Sequence, residues 1–239
     1  MHKSCIQYKM CVSVRNGSFF EHFNLSLIEI FQILIRYGTR CPRYSFIEYF
    51  GASKNTVLKI IRKLILLMPP PNFVNNKLGG QGQIVQVDET MLNYKCKSHR
   101  GRSPTNRTDA LCIIECGEHV NRVFACVIPD KRQETILPII CQHVASNTSK
   151  WTDEHRSYSN LNKLEYLHNT VCHKYCFIDH ITGVNTQAVK SFNNILKMEI
   201  KARKGIKTKD RKLFLNVICY KYNNKDDLLV AILDLIKLN

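Results

Sequence analysis

IVQVDET, residues 84–90, decides how the rest of the chain is read. Ile84, Val85 and Val87 have the β-branched character and short, bounded length of a buried strand. That strand runs straight into two acids, Asp88 and Glu89. The surrounding chain is strongly basic, with 35 Lys and Arg against 19 Asp and Glu in 239 residues, a net charge of +16. Carboxylates at the end of a core strand need a reason in such a protein.

The charge is not spread evenly. Residues 1–80 hold 11 basic and 3 acidic side chains, and residues 197–212 hold 8 and 2. The middle of the chain, which contains Asp88, is close to neutral. Basic flanks of this kind suit a polyanion, most simply nucleic acid, whose counterions they displace. The plain alternative is a basic but unspecialised protein.

Composition excludes several classes. The apolar fraction of 44% supports a core and argues against disorder. No apolar run reaches the ~18 residues that a membrane span needs. The richest, LIEIFQILI (27–35) and LLVAILDLI (228–236), are short and interrupted by acids. The first residues, MHKSCIQYKMC, lack the apolar stretch of a signal peptide, so an intracellular protein with no membrane partner is expected. There are eleven cysteines and no CxxC. Reduced core thiols fit this better than a disulfide framework.

Residues 24–67 read as three helices. In LSLIEIFQILIRYG, Leu27, Ile30, Phe31, Leu34 and Ile35 recur at helical spacing, and Gly38 reads as the stop. PRYSFIEYF (42–50) is a short second helix, and GAS (51–53) a turn. Ser53 is a good N-cap for KNTVLKIIRKLILL, whose inner stripe is Val57, Ile60, Ile61 and Leu64. The order helix, helix, turn, basic helix is that of a helix-turn-helix domain (24–74). Its outward residues Lys54, Asn55, Thr56, Lys59, Arg62 and Lys63 are the candidate DNA contacts. A small bundle with a solvated basic face is the alternative. PPPNF breaks the helix, and NNKLGGQGQ (75–83) reads as a linker or domain boundary.

From residue 84 the pattern changes. IVQVD, ALCIIECGE and NRVFACVIPD read as strands, ETILPIICQHV as a helix despite Pro138, SKWTDE and YCFID (175–179) as short strands, and residues 186–204 as a helix. Strands followed by alternating strands and helices give a mixed α/β domain (84–222), with a C-terminal helix over 223–239. Two strands end in acids, at Asp88 and Asp153. If they are neighbours, both carboxylates reach one end of the sheet. Paired carboxylates are ligands for Mg²⁺ or Mn²⁺. Two such ions can activate a water or a 3′-hydroxyl and stabilise the leaving oxygen of a phosphodiester. Solvated, loop-capping acids are the ordinary alternative.

IVQVDET together with HRGR (99–102) resembles the start of the ISXO2-like transposase domain, the DDE transposase family of IS1016-type insertion sequences and Merlin elements. VIPDKRQETILPII (127–140), KWTDEHRSYSNL (150–161) and HNTVCHKYCFIDHITGVNTQAVKSFNNILK (168–197) are similar to its later blocks, in order. SVRNGSFFEHFNLSL (13–27) is similar to its link from a degraded zinc ribbon (1–23 here) into a helical DNA-binding region. The resemblance spans residues 11 to about 222. It implies an RNase H-like mixed sheet flanked by helices, and metal-dependent cleavage and strand transfer at the terminal inverted repeats of transposons. It implies double-stranded DNA as partner and a homo-oligomer. It makes Asp88 and Asp153 the first two catalytic acids and metal ligands, and matches Lys197 to a basic residue near the scissile phosphate.

At the third acid the chain departs from the family, because the expected Glu falls on Lys190. An ammonium cannot ligate a divalent cation, and it repels a second metal. Asn193 and Asn194, about one turn further on, are neutral. A transposase with an impaired two-metal site is one reading; a catalytically dead DNA-binding derivative or element relic is the other. In a eukaryote the protein would need the nucleus, and KARKGIKTKDRK (201–212) could serve as import signal or DNA contact. A second cluster, His168, Cys172, His173, Cys176 and His180, has spacing that suits zinc on a helix. TVCHKYCFI reads half as strand, which favours ordinary thiols and imidazoles.

Overall fold

The computed structural model describes residues 2–5, 10–41, 53–94, 107–117, 119–161, 166–171 and 183–236. In chain order the elements are β1 (His2–Cys5), β2 (Met10–Ser13), α1 (Leu27–Gly38), α2 (Lys54–Leu67), β3 (Ile84–Met91), β4 (Asp109–Cys116), β5 (Val120–Ile128) and α3 (Gln133–His143). Then follow β6 (Ser149–Asp153), β7 (Leu167–Val171), α4 (Gln187–Ala202), α5 (Arg211–Asn223) and α6 (Leu228–Leu235). They fall into two compact units, Met1–Pro69 with Asn224–Asn239, and Pro70–Asn223. Among the described residues no helix is long and apolar enough to cross a membrane.

In the first unit α1 opens on a reciprocal cap. The Ser26 hydroxyl accepts from the Glu29 N–H, and the Glu29 carboxylate accepts from the Ser26 N–H at 2.8 Å. The buried face of α1 is Ile30, Ile33, Leu34, Tyr37 and Gly38. It is rotated from the expected stripe, leaving Phe31 and Ile35 exposed. Gly38 is not the stop either: the helix is capped at Thr39. A Cβ at Gly38 would lie 3.0–3.2 Å from Leu229 of α6, including its Cα. The glycine lets two helices approach closely. The C-terminal helix α6 therefore packs with α1 and α2 instead of standing apart. In α2 the inner stripe is as read from the sequence: Val57, Ile60, Ile61 and Leu64 are buried. Ser53 caps it, its hydroxyl accepting from the Thr56 N–H at 3.3 Å. The expected second helix, 42–50, lies outside the described residues.

The second unit is built on a five-stranded sheet in the order β5-β4-β3-β6-β7. β3 is central, antiparallel to β4 and parallel to β6. Strand alternation divides the core in two. On one face Ala110, Cys112, Ile114, Val123 and Ala125 pack under α4 and α5. On the other Val85, Val87, Leu111, Ile113 and Phe124 pack with α3, Tyr158 and Leu161. This mixed sheet with helices on both faces is the RNase H-like architecture. β7 is an addition to the sequence reading. It is an edge strand with one buried residue, Val171, so no hydrophobic run announces it. The expected strand 175–179 lies outside the described residues.

Residues 75–83 are not a linker but part of this core. Leu78 is fully buried and bridges in parallel to Val144. The Gly79 N–H donates to the buried Glu115 carboxylate at 2.6 Å. Arg122 forks onto the same carboxylate and also donates to the carbonyls of Asn76 and Lys77. Polar, glycine-rich composition suggested a tether; Gly79, Gly80 and Gly82 in fact meet positive φ, and Gly79 also meets close contact. Gly79 has φ +79°, and a Cβ there would fall 2.4 Å from the Thr148 side chain. Gly79→Ala should therefore destabilise the protein by about 2–4 kcal/mol, from left-handed backbone strain plus overpacking. Urea denaturation would show this as a lower midpoint at unchanged slope.

Candidate active site at the ends of the central strands

The parallel pairing of β3 with β6 runs Ile84 to Ser149, Val85 to Lys150 and Gln86 to Trp151. The same 65-residue offset relates Asp88 to Asp153. Paired positions in parallel strands share a face, so both acids lie on the face covered by α4. Asp88 Oδ1 accepts from the Glu89 N–H at 2.8 Å, and Asp153 Oδ1 from the His155 N–H at 3.1 Å. Burial pushes the Asp88 carboxyl up to about 6, with the charges of Asp153 and Glu89 acting in the same direction. The Lys190 charge works against them.

Glu89, adjacent in sequence, points the other way. Its side chain is 4% exposed. It accepts from the Tyr158 hydroxyl and faces the Lys131 ammonium at 3.8 Å. Tyr158 is buried in the core under α3, and burial, then the Glu89 charge, drives its phenol well above the usual range. Glu89 is thus a satisfied core acid that ties β3 to the Arg156–Tyr158 turn. The two acids of IVQVDET do different work because a strand alternates.

α4 is fixed over Asp88 from below. The Gln86 side chain accepts from the Val189 N–H at 3.1 Å and donates to Asn185 at 3.2 Å. This clamp at the first turn sets the rotation of the helix. Lys190 and Asn193, three residues apart, then share the face toward β3. Asn193 is 3% exposed, and its Nδ2 donates to Asp88 Oδ2 at 2.9 Å. Its Oδ1 is buried without a hydrogen-bond partner. The sequence marks Asn193 only as a neutral neighbour of Lys190, whereas the fold puts it on the first acid. Asn194 and Lys197 lie on the exposed side. Gln86 has one sequence signal, its even spacing from Asp88 in a strand. Among the described residues no group of three or more His, Cys, Asp or Glu side chains could hold a metal ion.

Of the six candidate DNA contacts on α2, Lys54, Asn55, Lys59 and Arg62 are exposed. The Thr56 hydroxyl is 2.9 Å from that of Ser53 and is half-buried. Lys63 departs from the expected outward face. Its ammonium reaches the carbonyls of Ser18 and Glu21, both at 3.4 Å, and sits over the rings of Phe19 and Phe23. An aliphatic stem beside two phenylalanines buries area that an outward lysine would not. Of the histidine and cysteine cluster, His168 is described: its Nε2 is 2.9 Å from the Thr152 hydroxyl. Cys172, His173, Cys176 and His180 lie outside the described residues.

A transposase-like protein of Haemophilus influenzae is 28% identical over 105 residues, covering 44% of this chain and 84% of that protein. Solved structures are more distant. A chain of the simian T-cell lymphotropic virus intasome in complex with PP2A regulatory subunit B56 gamma is 15% identical, with a TM-score of 0.38 over 79% of this chain and 67% of that one. The catalytic core domain of BIV integrase is 19% identical, with a TM-score of 0.37 over 60% and 84%. The model of the ISXO2-like transposase domain matches residues 77–223. That range covers more than half of the chain and both strand-end acids, and it places the protein in the ISXO2-like transposase domain family.

Proposed function

We propose that this is a transposase-like DNA-binding protein whose acid site cleaves and joins DNA with a divalent cation, and that Lys190 impairs it. The observation that carries the reading is the pair Asp88 and Asp153, each two residues beyond the Gln86–Trp151 pairing of adjacent parallel strands and close enough for the Asp153 charge to act on Asp88. Two half-buried carboxylates that repel each other call for a cation. The donor set fits one Mg²⁺ or Mn²⁺: two carboxylates, with the unpartnered Asn193 amide oxygen close by. It does not fit a second, because Lys190 stands where a third carboxylate is expected. When bound, the ion would supply Lewis acidity at a phosphodiester oxygen. The chain itself would orient Asp88 through Asn193 and the Glu89 N–H, keep α4 in place through Gln86, and set Lys197 toward phosphate.

The second reading, DNA binding without cleavage, is favoured by one observation. The Lys190 charge acts on Asp88 and already offsets part of the repulsion a metal would neutralise. In either reading the terminal inverted repeats of a Merlin or IS1016-type element are the proposed DNA, a homo-oligomer the proposed assembly and, in a eukaryote, the nucleus the proposed location. The exposed face of α2 is the proposed recognition surface.

Nicking of supercoiled plasmid carrying such repeats, in Mn²⁺, separates the readings. Lys190→Glu should nick at least about tenfold faster than the wild type, and Asp88→Ala should be silent in either background. A wild type as active as Lys190→Glu would show that the lysine does not impair the site. Lys59→Glu with Arg62→Glu should weaken DNA binding and lower the salt slope by about 2, because two phosphate contacts are lost. An unchanged slope would remove α2 from the interface.

The charge argument also predicts a pH dependence. The native Asp88 holds its proton up to about 6, while the unfolded chain releases it near 3.8. Between these values the native state binds more protons, so stability falls as pH rises. Asp88→Asn removes that loss. Its stability relative to wild type should rise by up to about 3 kcal/mol from pH 4 to pH 7. Urea unfolding across this range, without divalent cations, checks it. A pH-independent difference would mean that Asp88 ionises normally.

A further inference from the structure

Trp151 is the single tryptophan of the chain, and it sits two residues before Asp153 on β6. Its register partner on β3 is Gln86, and on β7 it is Asn169. Both pairings are parallel, so Trp151 lies on the same face as Gln86, Asp88 and Asp153. Two residues of strand separate it from Asp153 by about 7 Å. The opposite face is accounted for: Lys150 is fully buried there, its ammonium on the carbonyls of Ala145 and Thr148, and Thr152 meets His168.

The Trp151 face is more open. Trp151 is half-buried, Asn169 beside it is exposed, and Leu167, on the same face of β7, is 64% exposed. The result is a shallow platform of one indole, one aliphatic side chain and one free-standing amide, continuous with the strand-end acids. Exposed Lys197 and Lys201 on α4 add positive charge on the same side of the sheet.

We propose that this platform holds an unpaired nucleobase of the DNA strand whose phosphodiester lies at Asp88 and Asp153. The inference rests on the DNA-end reading above and adds a site to it. An indole face stacks on any base, and such stacking is tolerant of sequence. Asn169 offers a donor and an acceptor to the base edge. Carboxylates alone would repel a nucleic acid strand. A base seated on Trp151 would fix the strand one nucleotide from the reacting phosphate without adding charge to the site. The expected ligand is therefore a DNA end with a short single-stranded overhang, not a blunt duplex.

Because the chain has one tryptophan, its emission reports on this site directly. Titration of the full-length protein with a duplex bearing a three-nucleotide overhang should quench the emission. A blunt duplex of equal length should bind and quench far less. With fluorophore-labelled DNA, Trp151→Leu should weaken overhang binding about tenfold, leave blunt-duplex binding unchanged, and so erase the preference. Trp151→Phe should retain most of it, which separates lost stacking from misfolding. Equal quenching by both duplexes, or a Trp151→Leu protein that keeps the preference, overturns the platform while leaving DNA binding intact. Failure to bind either duplex overturns the DNA-end reading and the platform with it.

Discussion

One parallel strand pair governs this molecule. The register between β3 and β6 runs as far as Gln86 and Trp151, which puts Asp88 and Asp153 two residues beyond it on one face, and no feature of either strand alone would do so. Two carboxylates at that spacing are costly in a half-buried setting, because burial and mutual repulsion both disfavour their charge. A fold that keeps them must hold a cation, hold a proton, or bring its own positive group. The raised Asp88 carboxyl and the nearby Lys190 are the second and third responses within the chain. The first is the chemistry expected of the family.

The neighbouring acid shows how local that cost is. The Glu89 side chain is also withdrawn from solvent, but it has Tyr158 and Lys131 to meet it. A buried charge met by an opposite charge and a hydroxyl is a structural element; one set against a second carboxylate is a candidate for function. The position of α4 follows the same logic. Gln86 fastens its first turn, and Asn193 closes on Asp88 one turn later. The helix that carries Lys190 is thereby held against the strand that carries Asp88.

Residues outside the site were harder to read because their roles depend on distant neighbours. Gly38 looks like a helix stop in sequence, but Leu229, 191 residues away, gives it a packing role. Residues 75–83 have the composition of a linker, but Glu115, Arg122 and Thr148 turn them into core. Lys63 belongs to a basic helix, but Phe19 and Phe23 draw its stem inward. In each case local composition was correct about conformation or charge and uninformative about the partner.

By itself the sequence determined the strand that opens at Ile84, the hairpin and helix that follow it, the inner stripe of α2, and the acids Asp88 and Asp153 at the ends of two strands. These are period-2 and period-3.6 patterns and short-range blocks, which need no knowledge of distant residues. Only the tertiary structure decided that Asp88 and Glu89 face opposite cores, that Asn193 meets Asp88, that α6 joins α1 and α2, and that Trp151 lies open beside the acids. Each of these depends on strand order, register or the rotation of a packed helix, which are set by long-range contacts that a linear pattern does not contain.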